Sequence, residues 1–325
     1  MRVLVVGGAG YIGSVTVVEL LAAGHEVLVL DDLSTGHRQA VHPEAELAVA
    51  EMGDRDLLDR LLSTHAVDAV VYLAGRIVAP ESLRRPDLYF QSNIAAAITV
   101  LNAIVAHGVE RLVFSSSAAV YGNPESVPIR EDTPMRPVNP YGETKAAVER
   151  LLPWYENQGL LRHVSLRYFN AAGATGLRGE DHRPETHLIP SVLAVALGQR
   201  PAVALFGTDY PTRDGTCVRD YVHVEDLASA HLLALDYTET ASGAFNLGIG
   251  QGFSNREVIV AARRATGEEI AVMEQPRRAG DPAELVASSE KARAELGWKP
   301  RYTDLEEIIA TAWRWHQAHA SGYPV

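Results

Sequence analysis

Short apolar runs alternate with helix-like stretches through the first half of the chain. The β-branched runs cover residues 3–6, 27–30, 69–73, 112–115 and 164–167, and the helix-like stretches cover residues 12–23, 55–62, 95–107 and 142–155. Strands that alternate with helices predict βαβ units and a parallel sheet with right-handed crossovers. The runs are apolar throughout, which is typical of strands covered on both faces. We therefore expect an α/β fold with a doubly wound parallel sheet over residues 1–169.

The alternation breaks after residue 170. A loop rich in glycine and charge, 173–186, precedes a predicted helix at 188–197, and further helices are predicted at 224–237, 255–266 and 305–319. This pattern predicts a smaller α+β domain over residues 170–325, with some elements returning to the first domain. Ligand sites favour such junctions, so we expect a cleft between the two parts.

A glycine-rich turn follows the first predicted strand, in the order Gly7-x-x-Gly10-x-x-Gly13. Glycines allow a backbone to approach a pyrophosphate, and the N-terminus of the following helix supplies free N–H groups and a positive dipole. A tight turn without a ligand would show the same glycines. The position at the first βα junction favours a Rossmann-type dinucleotide site.

Acidic residues end the second predicted strand. An acid at the position of Asp31 accepts hydrogen bonds from the adenosine ribose and repels a 2′-phosphate, and Asp32 adds to the repulsion, so NAD is expected rather than NADP. Asp54, after the third strand, is a candidate adenine contact, although a solvated loop acid fits its spacing nearly as well.

Composition narrows the classes of partner. The 325 residues include 29 basic and 41 acidic side chains, and the net charge of −12 argues against nucleic-acid or anionic-membrane partners. The single cysteine, Cys217, excludes an intrachain disulfide and a cysteine-based metal site, so we expect no metal and a cytoplasmic location. The N-terminal apolar run ends at Gly7, unlike that of a signal peptide.

Tyr141 and Lys145 stand four residues apart, on one face of a predicted helix. An isolated phenol is a poor base at neutral pH, but an ammonium group one turn away and a nicotinamide cation both favour its phenolate form. The chain has only three lysines, so a chance pair is uncommon, although a solvated surface pair is the alternative. The spacing predicts a general base, Tyr141, tuned by Lys145.

Three serines end the strand predicted at 112–115. In a parallel sheet the carboxyl ends of the strands face the ligand crevice, so the Ser117 hydroxyl is placed to bind a substrate oxygen beside Tyr141. A capping or turn role is the alternative for at least one of these serines. No Gly-x-Ser-x-Gly elbow exists to make one a nucleophile.

These motifs together resemble those of extended short-chain dehydrogenases/reductases. The segment at 166–170 belongs to the same resemblance, whereas those at 115–122, 209–227, 278–281 and 296–298 resemble more narrowly the UDP-glucose 4-epimerase family, and the resemblance spans nearly the whole chain. It implies an NAD-dependent isomerase that interconverts UDP-glucose and UDP-galactose by reversible hydride transfer at the sugar C4. Tyr141 would take the proton of the 4-hydroxyl, Lys145 would bind the nicotinamide ribose, and Ser117 would bind the 4-oxygen.

The resemblance also implies the ligand contacts and the assembly. The cofactor contacts are Gly7, Gly10, Tyr11, Ile12, Gly13, Asp31, Asp32, Leu33, Ser34, Thr35, Gly36, Asp54, Arg55, Leu73, Ala74, Gly75, Arg76, Asn93, Ser115, Tyr141, Lys145 and Phe169. The substrate contacts are Ser117, Tyr141, Asn170, His187, Leu188, Phe206, Arg219, Tyr221, Arg278, Asp281 and Leu285. A homodimer is expected through the helices at 95–107 and 142–155.

The sequence departs from the family at several positions and leaves alternative functions open. Arg76 is the only basic residue in the segment after the fourth strand, where many members have lysine, and Leu285 stands where some members have tyrosine. Leucine leaves more room beside the sugar 2-position, which suggests secondary activity on UDP-GlcNAc and UDP-GalNAc. The rivals are another nucleotide-sugar epimerase, a 4,6-dehydratase and a non-catalytic NAD-sensing protein. Ala118-Ala119 replaces the Asp-Glu pair of the dehydratases.

Overall fold

The structure, a computed structural model, describes residues 1–324. Val325, the last residue of the expected second domain, lies outside the described residues. The strands are β1 Arg2–Val6, β2 Glu26–Asp31, β3 Glu46–Val49, β4 Ala69–Tyr72, β5 Arg111–Ser117, β6 Arg162–Tyr168, β7 Asn170–Ala172, β8 Val203–Phe206, β9 Val218–His223, β10 Gly243–Leu247, β11 Gly252–Ser254, β12 Val272–Gln275 and β13 Glu284–Leu285.

The helices alternate with the strands in the first half and cluster with short strands in the second. They are α1 Tyr11–Ala22, α2 Arg55–Thr64, α3 Ala79–Arg84, α4 Pro86–Tyr89, α5 Ala96–Ala106, α6 Pro140–Glu156, α7 Leu188–Ala196, α8 Val224–Tyr237, α9 Asn255–Thr266 and α10 Leu305–Ala318. A π-helical turn, Phe90–Ala95, joins α4 to α5. The helical segment is therefore longer than the predicted 95–107.

Seven parallel strands form the main sheet, in the order β10-β6-β5-β4-β1-β2-β3. Strands β1, β2 and β4 at the centre of the nucleotide half are almost wholly apolar between their ends, because both faces are covered. One core contains Val17 and Leu20 of α1 with Leu227 of α8, and the opposite core contains Leu58 of α2 with Ile104 of α5. The predicted doubly wound α/β fold is confirmed, and β10 from the second half joins its edge.

A second sheet forms beside the carboxyl edge of the first. Strand β9 pairs with β7 and β13 in parallel and with β11 in the antiparallel sense, while β8 and β12 form a separate pair. These elements pack with α7, α9 and α10 around Leu193, Leu205 and Ile308. The short strands therefore have their own hydrophobic core.

The helical rod 86–106 is long and apolar enough to meet a length-and-composition test for a membrane span. Its mean hydropathy is 1.5 over an 18-residue window, of which 44% is buried inside the fold. A core helix of a globular protein passes the same test. Val100, Leu101 and Ile104 face the sheet core, so burial against the sheet explains much of this apolar character.

Candidate active site

The carboxyl edge of the main sheet carries the predicted chemical groups. Ser117 ends β5, and Tyr141 and Lys145 lie in the first turns of α6, which begins with an Asn139 cap and Pro140. The Lys145 ammonium donates a 2.8 Å hydrogen bond to the carbonyl oxygen of Ser115. The helix and the strand end are thereby fixed against each other.

Burial shapes the electrostatics of the pair. It raises the pKa of Tyr141, and the neighbouring Ser117 hydroxyl acts in the opposite direction. Burial also lowers the pKa of Lys145 to about 8, although the carboxylate of Glu149 opposes that change. Lys145 therefore stays mainly protonated at neutral pH, and its ammonium also lies 5.1 Å from the ring centroid of Phe114.

Glu149 lies one further turn along α6 and was not predicted as a site residue. Its carboxylate accepts hydrogen bonds from the Ser116 hydroxyl on β5 and, at 2.7 Å, from the Arg167 guanidinium on β6. Both partners of this buried ion pair are hydrogen-bonded, so the pair fixes α6 against β5 and β6 next to Lys145. Residues 141, 145 and 149 are spaced by four, which places all three side chains on one helical face. This spacing could have identified Glu149 from the sequence.

The glycine-rich turn has space and free donors for a pyrophosphate. A Cβ on Gly7 would lie 2.6 Å from the Ala74 nitrogen, and one on Gly13 would lie 2.1 Å from the Gly7 oxygen, so these two glycines serve backbone packing. A Cβ on Gly10 would meet only the Gly7 oxygen at 3.4 Å. Gly10 caps α1 without a side-chain bond, and the first turn of α1 has no acidic residue. The helix N-terminus is therefore suited to a bound anion.

Asp31 organises the loop that follows β2. Its two carboxylate oxygens accept hydrogen bonds of 2.9 Å from the backbone amides of Ala9 and Leu33, and Leu33 adopts a left-handed conformation with φ 60°. Burial raises the pKa of Asp31, while these two amide bonds lower it. Asp32 is exposed and accepts from the backbone and hydroxyl of Ser34. Asp31 thus joins the glycine-rich turn to the loop after β2, whose residues 32–36 are predicted cofactor contacts.

Several predicted cofactor contacts surround this turn. Leu73, Ala74 and Gly75 follow β4, and the amides of Leu73 and Ala74 bond the Val6 carbonyl oxygen. Asn93 uses its side-chain amide to hold the Arg76 backbone, donating 2.9 Å to its carbonyl and accepting 2.8 Å from its N–H. Tyr11, Thr35 and Gly10 line one cleft. Ile12 lies in the first turn of α1, and Gly36 approaches Asp31.

Two predicted cofactor residues, Asp54 and Arg55, make contacts within α2. The Asp54 carboxylate caps α2 by accepting from the Leu57 amide at 3.0 Å, and Arg55 pairs with Asp59 at 2.8 Å on the helix surface. Asp54 is therefore a helix cap, a role that was not predicted from the sequence. The contacts of Asp54 and Arg55 with the cofactor stay predictions.

Three predicted substrate residues come together on the second half. The Arg278 guanidinium donates to both oxygens of Asp281, at 2.9 and 3.3 Å, and lies 5.4 Å from the ring centroid of Phe206. The phenyl ring is partly exposed, at 36% of its surface. An arginine, an acid and an exposed aromatic ring provide partners for a phosphate, a ribose hydroxyl and a base.

The second sheet brings further predicted residues together. Leu285 on β13 is in register with Arg219 on β9, and Asn170 on β7 is in register with Tyr221 on the same strand. Leu285 is buried and packs in a cluster that contains Phe169 and Ala118 beside Ser117. Tyr221 is also buried, in the core of the second half, so its substrate contact stays a prediction.

His187 and Leu188 stand where the glycine-rich loop enters α7. His187 occupies the N-cap position of α7 without a side-chain capping bond, its ring bonds Glu185 at 2.8 Å, and Leu188 begins α7. Burial would lower the pKa of His187, but the carboxylates of Glu180 and Glu185 outweigh it and raise that pKa well above its usual value. The sequence placed His187 at a substrate contact and did not reveal this carboxylate shell.

A parallel sheet with a nucleotide turn at its edge and a buried Tyr–Lys pair in the same crevice defines a Rossmann-type dinucleotide-dependent enzyme. Residues 3–248 match the model of the NAD dependent epimerase/dehydratase family. The chain belongs to this family, and its expected cofactor, NAD, is confirmed.

Known proteins resemble the chain over its whole length. A UDP-glucose 4-epimerase from Lacticaseibacillus casei is 52% identical and covers 99% of both chains. The structure of such an epimerase from Bifidobacterium longum in complex with NAD+ and UDP is 36% identical, with a TM-score of 0.96, covering 99% of this chain and 100% of that one. The UDP-Glc/GlcNAc 4-epimerase of Campylobacter jejuni is 38% identical, with a TM-score of 0.85, covering 98% and 99%. The resemblance predicted from the motifs is confirmed.

Proposed function

We propose that the chain interconverts UDP-glucose and UDP-galactose by reversible hydride transfer at the sugar C4. The observation that carries the proposal is the position of Ser117 at the carboxyl end of β5, two strands from the nucleotide turn, with the Tyr141 and Lys145 face of α6 bonded to the same strand end. In open α/β sheets this edge is where ligands bind. Full-length similarity to UDP-glucose 4-epimerases supports the choice of substrate.

The side chains supply the proton chemistry. Tyr141 accepts the proton of the sugar 4-hydroxyl and returns it to the same oxygen at the end of the cycle. Ser117 hydrogen-bonds that oxygen throughout, and the Lys145 ammonium stabilises the phenolate form of Tyr141. Bound NAD supplies the acceptor and donor of the hydride. Because proton and hydride both return, the reaction is an isomerisation with no net oxidation.

The uridine diphosphate is held by the second half of the chain. Arg278 and Arg219 are the cations proposed for the diphosphate, Asp281 the acceptor for a ribose hydroxyl, and Phe206 the partner of the uracil ring. Residues 170–325 therefore form mainly the substrate domain in this proposal, and residues 1–169 the NAD domain. A sugar held through its diphosphate keeps the freedom to present either face to the cofactor.

Incubation of the purified protein with UDP-galactose, with the product sugars resolved, tests the function. We expect UDP-glucose to accumulate until both sugars reach equilibrium, and the same mixture to form from UDP-glucose. A dehydratase would give a 4-keto-6-deoxy product instead. A non-catalytic NAD-sensing protein would retain NAD and leave both sugars unchanged, which would overturn the proposal.

The sugar pocket gives reason to propose a broader substrate range. Leu285 is buried at 8% exposure beside Phe169 and Ala118, and leucine projects less far than tyrosine. We expect secondary turnover of UDP-GlcNAc and UDP-GalNAc. The similar epimerase of Campylobacter jejuni acts on both UDP-Glc and UDP-GlcNAc, which supports this extension.

We also propose a cytoplasmic homodimer formed through α6 and the rod 86–106. These elements pack side by side, and they expose Trp154 at 72% and Phe90 at 43%. Burial of two such aromatic side chains favours association. Trp154→Glu should shift the protein from dimer to monomer in analytical ultracentrifugation, whereas Met273→Glu, at a residue 53% exposed on β12, should leave the dimer intact. A monomeric wild type would contradict the proposal.

A further inference from the structure

Four metal-ligating side chains converge in the loop 173–187, which connects β7 to α7. Glu180, His182, Glu185 and His187 each offer a ligand atom, and these atoms all lie within 4.8 Å of one another. The two imidazole rings lie close together, with centroids 5.4 Å apart and planes tilted by 53°. None of the four belongs to the Tyr141 and Lys145 pair, so the proton chemistry leaves this cluster unexplained.

The separations in the cluster are close to those of a tetrahedral ligand set. Four atoms at 2.0–2.2 Å from one Zn²⁺ lie about 3.4 Å from each other. The Glu180 oxygen lies 2.7 Å from His187 Nδ1 and 3.2 Å from His182 Nδ1, and a Glu185 oxygen lies 3.9 Å from His182 Nδ1. Small side-chain rotations therefore suffice to bring all four atoms around a single ion.

A second observation points independently to a ligand. The Glu185 Oε2 atom is buried and has no hydrogen-bond partner among the described residues. A buried carboxylate oxygen without a partner is costly, and a bound cation would satisfy it. Glu180, His182 and Glu185 also line a cavity of about 220 Å³ that reaches His316 of α10. This cavity gives an ion a path from solvent.

We propose that Glu180, His182, Glu185 and His187 bind one divalent transition-metal ion, best fitted by Zn²⁺. Two imidazoles and two carboxylates suit first-row transition metals better than Mg²⁺ or Ca²⁺, which prefer sets made wholly of oxygen. Two carboxylates also balance the charge of a dication. The role is structural, because a complete set of four protein ligands is typical of closed sites.

The position of the cluster means that a bound ion affects how firmly the loop 173–187 is held. The same loop contacts the nucleotide turn, where the Tyr11 hydroxyl donates a 2.6 Å hydrogen bond to the Gly173 carbonyl oxygen. At its other end His187 occupies the N-cap position of α7. An ion at the cluster therefore fixes the loop between the cofactor turn and α7.

The test measures metal on the intact protein with its NAD retained. After chelator treatment and dialysis, one equivalent of Zn²⁺ should bind per chain in the presence of excess Mg²⁺. Co²⁺ should give the intense visible absorption of a tetrahedral site. Saturating Zn²⁺ should raise Tm by roughly 3–5 °C if the free ion exceeds Kd about 100-fold. Wild type that binds no Zn²⁺, or binds it without a change in Tm, would overturn the proposal.

Variants locate the ion at this cluster. His182→Gln and Glu185→Gln keep side-chain size and should each lower Zn²⁺ affinity by at least about tenfold. His107→Gln is the matched control, because His107 pairs with a single carboxylate, Asp59, at 3.0 Å elsewhere on the surface. Unchanged Zn²⁺ binding in the two cluster variants would refute the assignment.

Discussion

The Lys145 ammonium and the Ser115 carbonyl oxygen lie 2.8 Å apart, and this hydrogen bond joins α6 to the end of β5. The charged group is buried, and burial lowers the pKa of Lys145 to about 8. Glu149 opposes that change from one turn further along and is itself held by Arg167. The position of the ammonium is thus set by the strand end, and its charge is maintained by the next acid on the same helical face.

We expect Tyr141→Phe to lower kcat by about 10²–10⁴-fold while NAD stays bound, because loss of a general base typically has that effect. The variant keeps the ring but cannot accept the proton of the sugar. Epimerisation of UDP-galactose and the NAD content of the purified protein are the two measurements. Tyr237→Phe is the control, since the Tyr237 hydroxyl bonds Glu295 at the surface. Turnover near that of wild type in Tyr141→Phe would exclude this residue as the base.

Lys145→Met should lower kcat by about 10²-fold, because a unit charge at the ~5 Å separation typical of side chains one helical turn apart contributes ~3 kcal/mol at an effective dielectric constant of 20. The same change should reduce the NAD retained after purification, since one ammonium serves the base and the nicotinamide ribose. Lys299→Met is the matched control on an exposed lysine. If Lys145→Met lowers kcat but keeps all of its NAD, the predicted contact between Lys145 and the nicotinamide ribose is wrong.

Asp31→Asn should weaken NAD retention more than Asp32→Asn. Asp31 accepts from both Ala9 and Leu33 through its two oxygens, whereas an amide has one oxygen and keeps only one of these bonds. The expected loss is about tenfold in affinity, equal to ~1.4 kcal/mol for one backbone hydrogen bond. The measurement is NAD released on denaturation. Equal retention of NAD in both variants would show that the cofactor-binding loop after β2 does not depend on Asp31.

The sequence predicted the sheet well because its strands are buried on both faces and read as continuous apolar runs. It implied a third strand before Asp54 but gave no bounds for it, because Glu46–Val49 has a single β-branched residue. It missed the rod before residue 95, where Pro86 and the polar residues around Asn93 obscure the helical pattern. The Tyr141 and Lys145 pair could be predicted because both lie on one helix. The cluster at 180–187 could not, because its convergence depends on how an irregular loop folds.

Acid should destabilise the protein through a buried neutral histidine. Burial lowers the pKa of His231 to about 4 in the folded protein, whereas a histidine in the unfolded chain has a pKa near 6.5. Between these two pH values the unfolded chain binds the proton and the folded protein does not. Stability is therefore lost as pH falls from 6.5 toward 4, by about 2 kcal/mol at pH 5. His231→Gln should lose less stability than wild type between pH 7 and 5 in urea unfolding, and His42→Gln should match wild type. Parallel losses in all three proteins would contradict this origin of the acid sensitivity.

Leu285→Tyr should suppress turnover of UDP-GalNAc by at least about tenfold while changing UDP-galactose turnover by less than about threefold. The physical reason is volume. Leu285 is 8% exposed and packs with Phe169 and Ala118 beside Ser117, so a phenol ring there would extend into the space expected for the acetyl group. Product sugars from each substrate, resolved at equal enzyme concentration, give the two rates.

Leu285→Met conserves volume and is the matched control, which should preserve both rates because such exchanges usually cost little. The alternative is that a neighbouring side chain blocks the acetyl group and Leu285 only packs the wall. In that case wild type shows no epimerisation of UDP-GalNAc even at high enzyme concentration, and the size of residue 285 does not set the substrate range. If wild type is active and Leu285→Tyr remains equally active, the acetyl group lies elsewhere in the pocket.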